Sequence, residues 1–434
     1  MTRPARGMRD FLPADVRRRR YVIGVVEEVY QRYGFEPLET PALENIETLT
    51  GKYGEEGGKL IFKVLRRGEH EASGETDLAL RYDLTVPLAR VVAEHRGKLP
   101  KFFKRYQIQP VWRADRPARG RFREFFQCDV DAIGSRSPVV EVEILSAVSE
   151  ILTSLGFADF TIQLNHRELL THTLDSAGIE RTLHDTALVA IDKLDKIGRD
   201  GVFDEMLARG IGAASAKAVL ETVAGDASSI PDPSGPAAAK NMAEIVKLCE
   251  ATPAAGRVKF TPRLARGLAY YTGAIMEIAV PDLAGSLGGG GRYDGLIGMF
   301  SGENVPACGF SLGLERILVV MSERQMFPPD VDKPAADILV TLFDAESLAD
   351  SLRLASELRR AGYRADVYPE PDKIGKQFKY AAAIGVPRVA VLGSDERARG
   401  VVTIKDMKTG EQTQVRRDAL ATLDSPRVKS RTSD

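Results

Sequence analysis

Three arginines far apart in a chain of 434 residues, Arg113, Arg266 and Arg316, each stand in glycine or aromatic surroundings. A guanidinium keeps its charge at every physiological pH and offers a planar fork of donors suited to phosphate and carboxylate oxygens. Three of them in one pocket would hold a nucleotide and an acid together. Arg266 lies in the run Leu264-Ala-Arg-Gly-Leu-Ala-Tyr-Tyr-Thr-Gly273. One arginine taken alone is most often a solvated or ion-paired surface residue, so it is the recurring context that suggests one polyanion site.

The wider composition puts this basicity in one place rather than everywhere. Sixty basic residues stand against 61 acidic ones, a net charge of −1, so no global pull toward nucleic acid or membrane exists. Between Lys101 and Arg123, however, eight basic residues face the single acid Asp115, interleaved with Phe102, Phe103, Tyr106, Trp112 and Phe122. Such a stretch is an anion-binding footprint. Cys128, Cys249 and Cys308 lie far apart without CxxC spacing, which argues against a zinc site or disulfide framework and suits a reducing compartment. No apolar run approaches the roughly 20 residues of a membrane span, and the start lacks a signal-peptide pattern, so a cytoplasmic protein is expected.

Several elements must position these residues. Val22, Val25, Val26, Val29 and Tyr33 follow helical spacing, predicting an amphipathic helix from Asp15 to Tyr33 capped by Gly34. Residues 102 to 112 and 122 to 133 read as two strands joined by the polar loop Arg113 to Arg121. From 167 to 257 alanine-rich helical segments such as Ala213 to Val223, and a Ser/Pro/Gly/Asp-rich loop from Gly225 to Pro236, predict an inserted helical domain. Strand signals return at Tyr271 to Val280 and Ala307 to Leu312, flanking the glycine-dense stretch from Gly285 to Gly295. Beyond a Pro/Asp linker, alternating strand and helix patterns and a hairpin around Thr409-Gly410 predict a small α/β domain, then a frayed tail. The expected division is 1–166 and 258–327 for a split core, 167–257 for the insertion, 335–424 for the C-terminal domain and 425–434 for the tail.

Familiar nucleotide loops are missing: the nearest approach to a P-loop, at Gly58-Lys59, has Tyr53 and Leu60 at its key positions, and Gly288 to Gly291 fails the dinucleotide fingerprint. Another architecture is visible. Trp112-Arg-Ala-Asp115, a polar loop, and Arg121-Phe-Arg-Glu-Phe-Phe-Gln-Cys-Asp-Val-Asp131 resemble the second motif of class II aminoacyl-tRNA synthetases. Gly309-Phe-Ser-Leu-Gly-Leu-Glu-Arg316 resembles the third, while Gly7-Met-Arg-Asp-Phe-Leu-Pro13 and Gly34 to Glu44 resemble the first. The pair Arg266-Gly-Leu-Ala-Tyr270-Tyr271 and Gly290-Gly-Arg-Tyr-Asp-Gly295 narrows the resemblance to the histidyl-tRNA synthetase family.

That resemblance implies an α+β fold: an antiparallel sheet flanked by helices, with a helical insertion and a C-terminal α/β anticodon-binding domain, in a homodimer. It implies activation of L-histidine with ATP to the adenylate and pyrophosphate, then transfer to the 3′ end of histidine tRNA, with Mg²⁺ accompanying ATP. Arg113 would hold the α-phosphate, Phe125 stack on adenine, Arg316 meet the γ-phosphate, and Asp115 and Arg121 complete the ATP set. Asp83, Thr85 and Gln127 would bind the α-ammonium, Asp131 and Tyr271 the imidazole beside Tyr270. Arg266 would lie between carboxylate and α-phosphate, the key catalytic group beside Arg113, doing work that other enzymes give to a metal; no protein metal ligands are expected. None of the five histidines falls in a matched motif, so none is expected to act as general base.

The chain departs from the family's common bacterial pattern. Asp115 and Asp131 stand where glutamate is usual, Ala269 where an aspartate precedes the tyrosine pair, and Ala118 where a glutamine lies near the extra 5′ guanylate of histidine tRNA. Two other families share parts of this pattern. The synthetase-like regulatory subunit of ATP phosphoribosyltransferase usually lacks the C-terminal domain and erodes the arginine motifs. A synthetase for proline or threonine would lack Arg266-Gly-Leu with Tyr270-Tyr271.

Overall fold

The computed structural model describes residues 2–53, 57–223, 236–266 and 270–422. It divides into two compact units, Met1–Pro328 and Pro329–Asp434. The first is built on an eight-stranded sheet. Its strands are β1 (Glu36–Pro37), β5 (Phe103–Trp112), β6 (Glu124–Ile133), β7 (Thr161–His166), β8 (Val258–Phe260), β9 (Ala274–Ala279), β10 (Gly288–Arg292) and β11 (Ala307–Gly313), in the order β1-β5-β6-β11-β10-β9-β7-β8. From β5 to β7 every pairing is antiparallel. A smaller sheet, β2 (Leu43–Asn45), β4 (Thr76–Leu80) and β3 (Lys63–Leu65), stands beside it.

Alternation along the central strands separates the two faces of the large sheet. In β6, Cys128, Val130 and Ala132 point one way, into a core shared with Phe310 and Leu312 of β11 and Met276 and Ile278 of β9. Helices Pro13–Arg32, Val139–Ser154, Ala237–Cys249 and Leu314–Glu323 cover that face with Val26, Tyr30, Leu145, Val148, Ile245 and Ile317. Helix Pro13–Arg32 begins two residues before the expected Asp15, its proline serving the first turn, where the missing N–H costs nothing. Gly34 follows at φ +74°, the left-handed conformation that glycine adopts without strain.

One expectation changes character. The stretch Gly288–Arg292, read as a glycine-rich connection, is a central strand of the sheet. Weak strand propensity is overridden here by close approach. A Cβ on Gly290 would stand 2.0 Å from the carbonyl oxygen of Gly309, and one on Gly291 2.6 Å from that of Ala274.

Between β7 and β8, which pair with each other in parallel, the chain makes an excursion through helices Arg167–Ser176, His184–Ile191, Leu194–Ala208, Ala213–Val223 and Ala237–Cys249. The second unit holds β12 (Ile338–Val340), β13 (Ala365–Val367), β14 (Arg388–Val391), β15 (Val401–Asp406) and β16 (Gln412–Arg416), in the order β13-β12-β14-β15-β16. Helices Leu348–Arg360 and Ile374–Ala383 form its crossovers, ending near Gly362 and Gly385, both at positive φ. Ala269, the tail from residue 425, and the expected Gly225–Pro236 loop as far as residue 235 lie outside the described residues. Among the described residues no helix is long and apolar enough to cross a membrane.

Candidate functional site

The second face of the large sheet is polar at its centre. Phe125, Gln127, Asp129 and Asp131 follow one another along it on β6, with Arg105, Gln107 and Gln109 of β5 opposite the last three on one side. Gly309, Ser311 and Gly313 of β11 stand opposite on the other. At about 3.3 Å per residue, Phe125 and Asp131 lie about 20 Å apart, so the face has an acidic end and an end lined by arginines.

Asp131 anchors the acidic end. Its Oδ1 accepts from the Tyr293 hydroxyl, and its Oδ2 lies 2.7 Å from Nη2 of Arg105. That contact is close but poorly aligned, so Oδ2 still lacks a hydrogen bond. The same Nη2 is 3.9 Å from Asp129. Gly309 leaves the room for this, since a Cβ there would fall 1.8 Å from Oδ1 of Asp131. Burial pushes the carboxyls of Asp129 and Asp131 upward, against the opposing charge of Arg105.

Asp83 enters from the start of helix Thr85–His95. Its Oδ1 accepts from the Val86 amide at 3.0 Å, which ties it to the first helical turn, and from the Tyr53 hydroxyl at 3.0 Å. Thr85 is the first residue of that helix. Burial raises the Asp83 carboxyl despite these bonds and the charge of Arg113. Gln127 gives its amide N–H to the Ser311 hydroxyl at 2.8 Å. Tyr270 closes this end, its ring 4.9 Å from Tyr271 and 6.1 Å from Tyr293, centre to centre.

At the basic end, Arg113 lies over the Tyr82 ring at 4.3 Å and 5.2 Å from the Phe125 ring centre, its Nε donating to the Tyr82 carbonyl at 3.0 Å. Burial opposes its charge, but Tyr82, Asp83 and Asp115 outweigh that and hold it above the ordinary value. Arg121 is gripped by both oxygens of Asp115, at 3.0 and 2.8 Å. Arg316 donates to the Ser286 carbonyl and is pulled downward by burial and by the charges of Arg121, Arg266 and Arg113. Those arginines therefore share one electrostatic neighbourhood, which an arriving polyanion would neutralise.

Arg266 sits on the glycine strand: a Cβ on Gly289 would be 1.7 Å from its Nη1. Glu277 stands 3.7 Å from the same atom, and the Tyr271 ring centre is 5.8 Å from the guanidinium carbon. Burial works against its charge, while Tyr271, Glu277 and Asp192 together raise it above the ordinary value.

Unpartnered atoms mark the face most clearly. Among the described residues, eight buried side-chain nitrogens and oxygens lack a hydrogen bond, and six belong here: Asp83 Oδ2, Arg105 Nε, Gln127 Oε1, Asp129 Oδ1, Asp131 Oδ2 and Arg266 Nε. Each such group costs about 1–3 kcal/mol, so their concentration marks a surface shaped for a polar ligand.

All twelve residues singled out in the sequence border this face or its rim, whereas Arg105, Asp129, Ser311, Tyr53, Tyr293 and Glu277 were missed as site residues. The alternation Gln-Cys-Asp-Val-Asp in β6 and Arg-Tyr-Gln-Ile-Gln in β5 was the available signal for two of them. Arg81 does not pair with Asp83; it donates to the carbonyls of Thr40, Pro41 and Pro110. His166 caps helix Arg167–Ser176 through Nδ1, and His184 bonds to the Ile179 carbonyl, so both have structural partners.

Comparison with known proteins agrees with this geometry. The histidyl-tRNA synthetase family model matches residues 7–317, and an anticodon-binding domain model matches 337–423. A histidine–tRNA ligase of Gloeobacter violaceus is 41% identical over 98% of both chains, and one of Porphyromonas gingivalis is 42% identical over 95% of this chain and 97% of that one. The histidyl-tRNA synthetase structure from Nostoc superposes with a TM-score of 0.77 at 30% identity, covering 97% of this chain and 98% of that chain. A Bacillus halodurans structure described as an ATP phosphoribosyltransferase regulatory subunit/histidyl-tRNA synthetase shares the fold, with a TM-score of 0.72 at 21% identity over 90% of this chain and 99% of that one. With its glycine strand, arginine cluster and acidic pocket on one sheet face, and matches along nearly its whole length, the chain belongs to the histidyl-tRNA synthetase family.

Proposed function

We propose that this chain is a histidine–tRNA ligase, and that the cluster of unpartnered buried atoms on the polar sheet face is its substrate site. The reading rests on that cluster because its two ends match the two halves of a histidyl-adenylate. Asp83, Thr85 and Gln127 take the α-ammonium. Asp131, Tyr270 and Tyr271 enclose the imidazole, and buried partners of this kind penalise any amino acid that leaves them unsatisfied, by factors of about 10⁴ to 10⁵.

In the first step a carboxylate oxygen of histidine attacks the α-phosphorus of ATP, and the bond to the bridging oxygen breaks to release pyrophosphate. Arg266 and Arg113 hold the attacking carboxylate and the α-phosphate together and stabilise charge as it builds. Positioning and electrostatics carry such a reaction, since no covalent intermediate with the protein is needed. Phe125 stacks on adenine, Arg316 meets the γ-phosphate, and Asp115 keeps Arg121 aimed at the triphosphate. In the second step the terminal ribose hydroxyl of histidine tRNA attacks the acyl carbon and AMP leaves, with the hydroxyl proton passing to a phosphate oxygen of the tRNA or of the departing AMP.

Among the described residues no group of three His, Cys, Asp or Glu side chains could hold a metal ion. Asp115 is engaged by Arg121 and Glu277 lies beside Arg266, so this donor set does not fit a resident Mg²⁺. The ion belongs with the outer phosphates of ATP as part of the substrate. The loop Arg113 to Arg121 faces the acceptor end, and the C-terminal unit, with Lys373, Lys376 and Lys379, offers an anticodon contact. A cytoplasmic homodimer completes the reading, with residues 1–166 and 258–327 as the split core, 167–257 as an insertion whose helices up to Val223 clamp tRNA while Ala237–Cys249 packs on the core, and 335–424 as the anticodon domain.

ATP–pyrophosphate exchange with each amino acid in turn, beside an Arg266→Ala control, tests it. Exchange with histidine alone, lost in the control, is expected. No exchange with any amino acid would favour a regulatory relative without ligase activity.

A further inference from the structure

At the acidic end of the site, the Asp129–Asp131 pair carries more negative charge than the one arginine it shares can balance. Asp83, Asp129 and Asp131 are each 2% exposed, and the arginine buried among them is Arg105. Arg105 reaches Asp131 at 2.7 Å and Asp129 at 3.9 Å. Asp129 sits between Gln127 and Asp131 along β6, faces Gln107 of β5 and Ser311 of β11, and keeps an unpartnered Oδ1. Tyr293 and Tyr53 are neutral donors to Asp131 and Asp83. Arg81, the other cation within reach of Asp129, lies in the field of Glu44 and Glu39 before that of Asp129. Arg113 faces Asp83 from the phosphate side.

Arg113 and the substrate ammonium face Asp83, while Asp129 and Asp131 share Arg105, leaving one buried negative charge of that pair uncompensated. An unpaired charge in such surroundings is neutralised by a proton. Imidazole is a stronger base than a carboxylate by roughly 2.5 pH units in water, and two neighbouring carboxylates favour its cationic form further. We propose that Asp129 is a specificity-determining residue that makes the pocket take histidine as the imidazolium, the charged ring lying against Asp131 and Asp129 together. This deepens the ligase reading and rests on it. The upward pressure of burial on both carboxyls agrees, since a cation arriving beside them relieves it. A ring of the same shape but low basicity would leave one carboxylate of the pair unbalanced, so the pocket rejects it by charge as well as by hydrogen bonding.

The test uses the full-length enzyme with histidine labelled with ¹⁵N in the ring. In the wild type at pH 8 the bound ring should show two protonated nitrogens, although free histidine is neutral there. In Asp129→Asn it should be neutral. The kcat/KM preference for histidine over 1,2,4-triazol-3-ylalanine in pyrophosphate exchange should fall by about tenfold or more in that variant, the scale of one charge-assisted bond. A neutral bound ring in the wild type would overturn the proposal whether or not the variant folds. So would an unchanged preference in a folded Asp129→Asn. Histidine-dependent exchange in the same wild-type preparation would keep the ligase reading standing in either case, and its absence would overturn both.

Discussion

Arg266 occupies the space where a side chain on Gly289 would be: a Cβ there would lie 1.7 Å from Nη1. The relationship ties the guanidinium proposed above as catalytic to one glycine of β10, a strand away in sequence. A Gly289→Ala variant must push Arg266 off the strand, and a displacement of about 1 Å at a positioning group can cost about 10²-fold in rate. The expected result is a kcat for histidine-dependent exchange lowered on that scale, with the KM for ATP changed far less. An equal loss in both would mean that the substitution disturbs the sheet rather than the arginine.

Asp115 and Arg121 form a two-pronged pair at the rim, Asp115 being 8% exposed and the Arg121 side chain 44% exposed. A pair open on one side adds little stability, so its value lies in aiming Arg121. Asp115→Asn and Arg121→Ala should each raise the KM for ATP several-fold and leave kcat nearly unchanged. Residues acting as a unit are non-additive, so the double variant should be no worse than Arg121→Ala alone. Additive losses would show that each side chain meets ATP independently.

The sequence exposed the arginines because their types and contexts are unusual wherever they fall, and Arg113, Arg266 and Arg316 are indeed brought into one field by the fold. It did not expose Arg105 or Tyr293 as site residues. Their roles depend on Arg105 standing opposite Asp131 across β5 and β6, and on Tyr293 following a strand that comes from more than 150 residues further along the chain. Strand β10 was missed for a related reason. Glycine is chosen there by what presses on it, Gly309 from β11 and Arg266 from above, and neither pressure is visible locally. Helix Pro13–Arg32 was legible because its apolar spacing is a local property.

His166 gives a pH dependence outside the chemistry. Burial first, and the nearby Arg292, depress its imidazole from 6.5 to about 4. The neutral ring accepts the Glu168 amide through Nδ1 and so caps helix Arg167–Ser176. A depressed folded-state value means the contribution is fully present above 6.5 and is lost as pH falls from there toward 4. Denaturant titrations should show stability declining through that window by up to about 1.4 kcal/mol per pH unit from this group. His166→Asn, which can still cap, should flatten the decline. An unchanged slope would place the acid sensitivity elsewhere.

The loop between β5 and β6 is held more firmly than a free hairpin tip. Ala118 and Arg121 exchange both backbone hydrogen bonds, and Arg119 is bonded to Glu323 and to the Asp282 carbonyl. Gly120, at φ +67°, lets the turn pass the side chain of Arg316, 3.3 Å from where its Cβ would be. The exposed Ala118 methyl in this turn has no donor or acceptor with which to read a base. With the loop at the acceptor end as proposed above, its arginines would offer phosphate contacts, which position a strand without reading its sequence. Histidine tRNA transcripts with and without the extra 5′ guanylate should be charged with kcat/KM values within about threefold of each other, well short of the factor of ten that 1.4 kcal/mol of lost base contact would give. Ala118→Gln, which restores a donor and an acceptor, should widen that ratio. Strict dependence of the wild-type enzyme on the guanylate would mean that it is read by a residue outside the loop.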